Sequence, residues 1–262
     1  MTLDNFLEIG SIWSASNQFL RKLQNSKEIV KEQLLKYDKP YICLSGGKDS
    51  VVMAFLIADV IQHDIKDYKG DIILWGHVSD ASYPGTIETM EKVSSQTGIK
   101  LILDTSPVSA FEVLDDSVVK QFGKQGYFFD AIENCINTYE RNLSFIGVRA
   151  YESRRRMRAV KAHGMTFTSN VPTFCNICYP LAWYKLEDVA ALTYMYNTPI
   201  HPVYSKVDTR LKYNCTDEGW IRLGYLTAKD LLNQGSAVFI KRNYPEQFEK
   251  LAQHYPEIRN YI

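Results

Sequence analysis

Apolar residues recur at Phe19, Leu20, Leu23, Val30, Leu34 and Leu35 with charged positions between them, a spacing that predicts an amphipathic helix from about Ser16 to Tyr37, ended by Pro40. The pattern then changes. Tyr41-Ile42-Cys43-Leu44 is a short unbroken apolar run bounded by Pro40 and by Gly46-Gly47, which suits a strand buried on both faces. Ser50 to Ile61 is apolar nearly all round and predicts a buried helix. Strand-like runs recur at Ile72 to Trp75, Leu101 to Leu103 and Phe145 to Val148, with helical patterns near Thr86 to Ser95 and Ala131 to Arg141 between them. Strands alternating with helices predict an α/β fold, a parallel sheet of about five strands with helices on both faces and right-handed crossovers. Further on, Tyr244-Pro245 and Tyr255-Pro256 each open a short helical pattern with Phe248 and Leu251 between, which predicts a helical extension. The expected organisation is a helical lead-in over residues 1–36, the α/β unit over 37–226 and the extension over 227–262.

Composition narrows the function classes. Of 262 residues, 45% are hydrophobic and 23% charged, so the chain can bury a full core and is not mainly disordered. Thirty Lys and Arg balance thirty Asp and Glu, so any attraction to nucleic acid or an anionic surface must be local. The longest apolar run, Val51 to Ala58, falls far short of the ~20 residues of a membrane span. Asp4 and Glu8 stand where a secretory leader would be basic and then apolar, so a cytoplasmic protein is expected, its five cysteines being thiols or metal ligands.

Ser45-Gly46-Gly47-Lys48-Asp49-Ser50 falls where the first strand gives way to a helix. Backbone N–H groups converge at such a helix start and bind anions. The two glycines let the backbone approach an oxyanion, Ser45 and Ser50 offer hydroxyls, and Lys48 adds a charge. The bland alternative is a tight turn with an Asp or Ser cap. Asp49 either caps the helix or helps hold a metal through water. The segment is not a Walker A loop, because Asp49 follows the lysine where Ser or Thr would meet magnesium.

The hexapeptide resembles the pyrophosphate-binding loop of the adenine-nucleotide alpha-hydrolase superfamily. Three later segments narrow the resemblance to the phosphoadenylylsulfate reductase-like branch. Gly147-Val148-Arg149-Ala150-Tyr151-Glu152-Ser153, with Arg154 to Arg156 after it, is similar to that branch's Gly-x-Arg-x-x-Glu-Ser…Arg segment. Pro180-Leu181-Ala182-Trp183-Tyr184-Lys185-Leu186-Glu187-Asp188-Val189 is similar to its Pro-Leu…Trp…Asp-Val helix start, and Pro199-Ile200-His201-Pro202-Val203-Tyr204 to its Pro-x-Tyr turn. The resemblance implies a Rossmann-like (HUP-type) fold. It also implies an ATP site in which Ser45 to Ser50 hold the polyphosphate with Mg2+ and the adenine lies against the first two strands. The family's chemistry splits ATP between the α and β phosphates to activate an acceptor, in sulfur metabolism or thiolation, or else reduces an already activated sulfate. A regulatory nucleotide-binding subunit without turnover is a third reading. A homodimer or a partner subunit follows by analogy only.

Six cations (Arg149, Arg154, Arg155, Arg156, Arg158 and Lys161) and one anion, Glu152, fall between Arg149 and Lys161. Directly after a strand, this segment belongs at the same carboxyl edge as the glycine turn. Arg149 and Arg154 to Arg156 as a group are expected to bind the anion, with Lys48, Asp49 and Arg149 doing the chemistry. Taken singly, Arg155, Arg158 and Lys161 read as a solvated helix face. Nucleic acid along residues 149–161 is the less favoured partner.

Cys175-Asn176-Ile177-Cys178 has metal-ligand spacing, with Cys215 as a third ligand and Cys135 as a fourth for zinc or an iron–sulfur cluster; ordinary free thiols are the alternative. Cys43, within the first strand, reads as a small buried hydrophobe. The chain departs from the reductases in having no cysteine after Cys215, which removes their thiol nucleophile. It also carries Val78-Ser79-Asp80 where the family has Asp-Thr-Gly, and Tyr225 where a cysteine usually follows Gly224. His77 and His201 are expected to be structural.

Overall fold

The computed structural model describes residues 2–105, 126–171, 173–206 and 236–262. The first apolar run forms β1 (Pro40–Cys43), followed by β2 (Ile73–Val78), β3 (Leu101–Thr105), β4 (Leu143–Phe145), β5 (Thr166–Ser169) and β6 (Cys175–Cys178). They make one sheet in the order β3-β2-β1-β4-β6-β5. β1 has a parallel neighbour on each side, with Ile42 in register with Leu74 of β2 and with Phe145 of β4.

The α/β class and the parallel arrangement agree with the sequence pattern, and the described residues form six strands against the about five expected. The extra strand is β5, which runs antiparallel to β6 and pairs Thr166 with Cys178 and Ser169 with Cys175. Its residues alternate exposed and half-buried, as an edge strand does, and Gly164 in a left-handed conformation (φ 75°) turns the chain into it.

The helices are α1 (Leu3–Trp13), α2 (Asn17–Lys36), α3 (Lys48–Asp59), α4 (Thr86–Thr97), α5 (Gly126–Thr138), α6 (Arg154–His163), α7 (Leu186–Tyr196), α8 (Ser236–Asn243) and α9 (Pro245–His254). The strand period of two sorts side chains between two cores. Ile42, Leu74, Leu143, Phe145 and Cys178 join the large core with α3 and α7, while Tyr41, Ile73, Trp75 and Cys175 pack on the other face with Cys135 and Ile136 of α5. α3 is apolar all round because it is buried nearly all round, from Val51 through Ala58. It continues into one wider π-helical turn, Val60–Asp64.

α1 lies on α7 so closely that a Cβ at Gly10 would stand 2.4 Å from the Ala190 carbonyl oxygen. Asp188, fully buried, fixes this corner. It accepts hydrogen bonds from Trp13 Nε1 (2.8 Å) and the Lys185 N–H (2.8 Å) and pairs with Lys22 (2.5 Å). Phe239, Phe248 and Leu251 of α8 and α9 complete the large core. No described helix is long and apolar enough to cross a membrane. β1, β2, β4 and β6 all point their carboxyl ends to one edge, where open α/β sheets place their ligands.

Candidate functional site

At that edge the Ser45–Ser50 turn joins β1 to α3. Gly46 takes φ 73°, and a Cβ there would meet the Thr86 carbonyl at 3.3 Å, so the position suits glycine on conformation and on space. The turn is held from within. Ser50 Oγ donates to the Gly47 carbonyl (3.0 Å) and accepts the Ser45 N–H (3.1 Å), and the two serine hydroxyls lie 3.1 Å apart. Two N–H groups that face an anion in such turns already meet hydroxyls: Gly47 N–H points to Ser45 Oγ (3.4 Å) and Lys48 N–H donates to Tyr204 Oη (3.1 Å). An oxyanion binding there would take over from those hydroxyls.

Asp49 is the centre of the charge arrangement. Its Oδ1 accepts Arg149 Nε at 2.6 Å and its Oδ2 meets Lys48 Nζ at 2.8 Å. Burial pushes its carboxyl up, but the Arg149 guanidinium and the Lys48 ammonium outweigh that and hold it at about 2. Burial likewise pulls Lys48 down, yet Asp49 and Tyr204 leave it raised overall. Arg149 is fully buried and also donates to the Tyr184 carbonyl at 3.3 Å. Gly147 makes this meeting feasible, since a Cβ there would press on the Asp49–Ser50 peptide at 3.2 Å.

Glu152, buried, accepts the Arg149 N–H at 3.1 Å and is paired with Arg156. Thr86 Oγ1 donates to the Tyr83 carbonyl (2.7 Å), so it accepts from His201 Nε2 (3.1 Å), while His201 Nδ1 accepts the Val203 N–H (3.0 Å). Those contacts fix the neutral Nε2–H form, and burial holds the ring at about 4. All four sequence segments therefore meet at one corner, the fourth through Tyr204, which the sequence marks only as part of a Pro-x-Tyr turn.

Beside this corner opens a cavity of about 310 Å3. Its wall holds Ser45, Gly47, Asp49 and Ser50 of the turn, Glu152 and Arg156 of the arginine segment, Tyr204, and, toward β1 and β2, Cys43, Trp75 and His77. Trp75 Nε1 donates to Asp104 Oδ2 at 2.5 Å, a role for β3 that carries no sequence signal. Burial lowers His77, with Asp104 opposing.

The expected anion-binding group thus divides. Arg156 lines the cavity. Arg154 and Arg155 are exposed and are not among its lining residues, because the helical turn carries them away from Arg156. Lys48 and Arg149 lie behind Asp49 rather than on the wall.

The expected shared ligation by Cys175 and Cys178 is corrected. Both lie on β6, where residues three apart point to opposite faces, and they belong to different cores. The thiols are held protonated by burial, Cys175 up to about 12 and Cys178 well above the usual thiol range. Among the described residues no group of three or more Cys, His, Asp or Glu is arranged to hold a metal, so an iron–sulfur or zinc site does not fit them. Cys215, Gly224 and Tyr225 lie outside the described residues.

The chain matches the family model of the phosphoadenosine phosphosulfate reductase domain over residues 39–224. No curated protein sequence matches it. Among solved structures, the FMN adenylyltransferase of Candida glabrata in complex with FMN and the ATP analogue AMPCPP is similar with a TM-score of 0.59 at 16% identity, over 86% of this chain and 74% of that one. The phosphoadenylyl-sulfate reductase of Candida auris, a phosphate complex, gives 0.53 at 12% identity over 87% and 97%. The U34-tRNA thiolase NcsA of Methanococcus maripaludis, with its [4Fe-4S] cluster, gives 0.51 at 16% over 92% and 80%.

Proposed function

The chain belongs to the phosphoadenosine phosphosulfate reductase domain family, and from that premise we propose that it binds ATP at the Ser45–Ser50 turn and cleaves it between the α and β phosphates to activate an acceptor. The observation that carries this reading is the convergence of Lys48 and Arg149 on Asp49 at the opening of α3, with Tyr204 on the Lys48 N–H of the turn, beside a cavity bordered by Trp75 and His77. Relatives of the same fold that hold an ATP analogue or phosphate support it.

The N–H groups and hydroxyls of Ser45, Gly46, Gly47 and Ser50 receive the β and γ phosphates at the amino end of α3. Lys48 turns from Asp49 to the phosphate, and Arg156 meets the charge that develops at the α phosphate. Arg149 is a positioning residue that holds Asp49 from behind. Mg2+ fits through Asp49, whose oxygens each keep a second acceptor site, and when bound it would neutralise phosphate charge. An acceptor oxygen forms a bond to the α phosphorus as the bond from that phosphorus to the bridging oxygen breaks. The electron pair leaves with pyrophosphate and the acceptor's proton passes to water. Cys43, the cysteine on the cavity wall, is pushed up to about 11 by burial, so catalysis rests on positioning and electrostatics rather than a thiol nucleophile.

An assay of ATP consumption that separates AMP plus pyrophosphate from ADP plus phosphate tests the reading. Wild type should give AMP and pyrophosphate, with turnover reduced roughly 100-fold or more in Lys48→Ala. ADP would overturn the cleavage position, and ATP bound without turnover would make the chain a regulatory subunit.

A further inference from the structure

The part of the arginine segment that the cavity does not use forms a surface of its own. Arg154, Arg155, Arg158 and Lys161 are all exposed on α6, at positions that share one side of the helix. The other side buries Val160 and packs Met157 on a small satellite core with Ala150 and Ala182. α6 contains no acidic residue, and none of these four cations has an ion-pair partner among the described residues. That is unusual in a chain whose charges cancel overall.

The helix lies along the carboxyl edge. It starts just past β4, and the Met165 carbonyl, just after it, accepts the Tyr179 N–H (2.7 Å) just past β6. Beyond it, β5 starts at this edge with exposed Thr166 and then runs back antiparallel to β6, away from the edge. At the other end stands Trp183, 36% exposed, next to Ala182, whose carbonyl accepts the Ala150 N–H at 2.8 Å.

We propose that the outer face of α6, with Thr166 and Trp183, binds a nucleic-acid strand along the carboxyl edge, its phosphates on Arg154, Arg155, Arg158 and Lys161 and an unstacked base on Trp183. Guanidinium groups match phosphate oxygens in pairs, a hydroxyl such as that of Thr166 meets phosphate or sugar, and an aromatic ring takes a base face whatever its identity. The surface does not depend on the nucleotide reading, because none of its four cations lines the cavity.

Fluorescence anisotropy of labelled single-stranded RNA and DNA oligonucleotides, titrated with the full chain at several salt concentrations, tests this. Four phosphate contacts predict a slope of log affinity against log salt of about −3. Arg158→Ala with Lys161→Ala should cut that slope by about half while leaving ATP affinity unchanged. Trp183→Ala should weaken binding roughly ten-fold without altering the slope, since stacking releases no counterions. A preference between the two oligonucleotides names the source of the strand. No binding to either, an unchanged slope in the double variant, or equal binding of a polyglutamate peptide would overturn the proposal. Loss of ATP binding by wild type would instead undo the proposed reaction and leave this measurement standing.

Discussion

The inner and outer sides of the arginine segment contain the same kind of side chain in opposite circumstances. Arg149 and Arg156 are each tied to a carboxylate, Asp49 and Glu152, whereas Arg154, Arg155, Arg158 and Lys161, on the outer side of α6, face solvent with no acidic partner among the described residues. Inside, the pairs hold a turn, a helix start and a strand exit in register. Outside, nothing in the fold needs the charges, which leaves them to a ligand. Burial, not residue type, decides whether an arginine here is structural.

The sharpest way to break the contrast is Arg149→Ala, which leaves the buried Asp49 with Lys48 alone. A loss of about 3–5 kcal/mol in urea unfolding is expected, with partial recovery in Arg149→Lys, against no more than about 0.5 kcal/mol for Arg155→Ala. Equal effects would erase the distinction. Next comes pH. His201 is held at about 4 against an ordinary 6.5, so the unfolded chain takes up the proton first. Its contribution is complete above about 6.5 and is lost as pH falls toward 4. The urea midpoint should drop across that window in wild type and stay flatter in His201→Gln. The Asp49 contribution persists through this window and is lost only as pH falls from about 3.8 through about 2. The smallest change is Tyr204→Phe, which removes the hydroxyl that accepts the Lys48 N–H. It should cost about 1 kcal/mol in the same assay and leave oligonucleotide affinity unchanged.

What could be read from the sequence follows how local each signal is. The Ser45–Ser50 turn and the buried α3 behind it were legible because turn chemistry and helix period act over a few neighbouring residues. The exit of β4 was placed about three residues late, since Ile146 is apolar like a strand residue but the chain turns away there, with the Val148 N–H donating to the Ile146 carbonyl. Cys-x-x-Cys leaves metal ligation and free thiols both open, because its spacing suits ligands on a turn, while on a strand the same spacing parts the thiols; only the pairing of β6 with β4 and β5 decides between them. The partnership of Asp49 with Arg149 crosses one hundred residues of chain and has no local signature.

The sorting of the cysteines has a practical consequence. Cys135 and Cys175 are sealed on one side of the sheet, Cys178 on the other, and half-buried Cys43 looks into the cavity. With Cys215, which lies outside the described residues, replaced by serine, alkylation of Cys43 therefore reports whether the cavity is filled, while the slower modification of Cys178 and of Cys135 with Cys175 clocks the opening of each layer separately. The four placed cysteines thus serve as unfolding reporters native to the sheet.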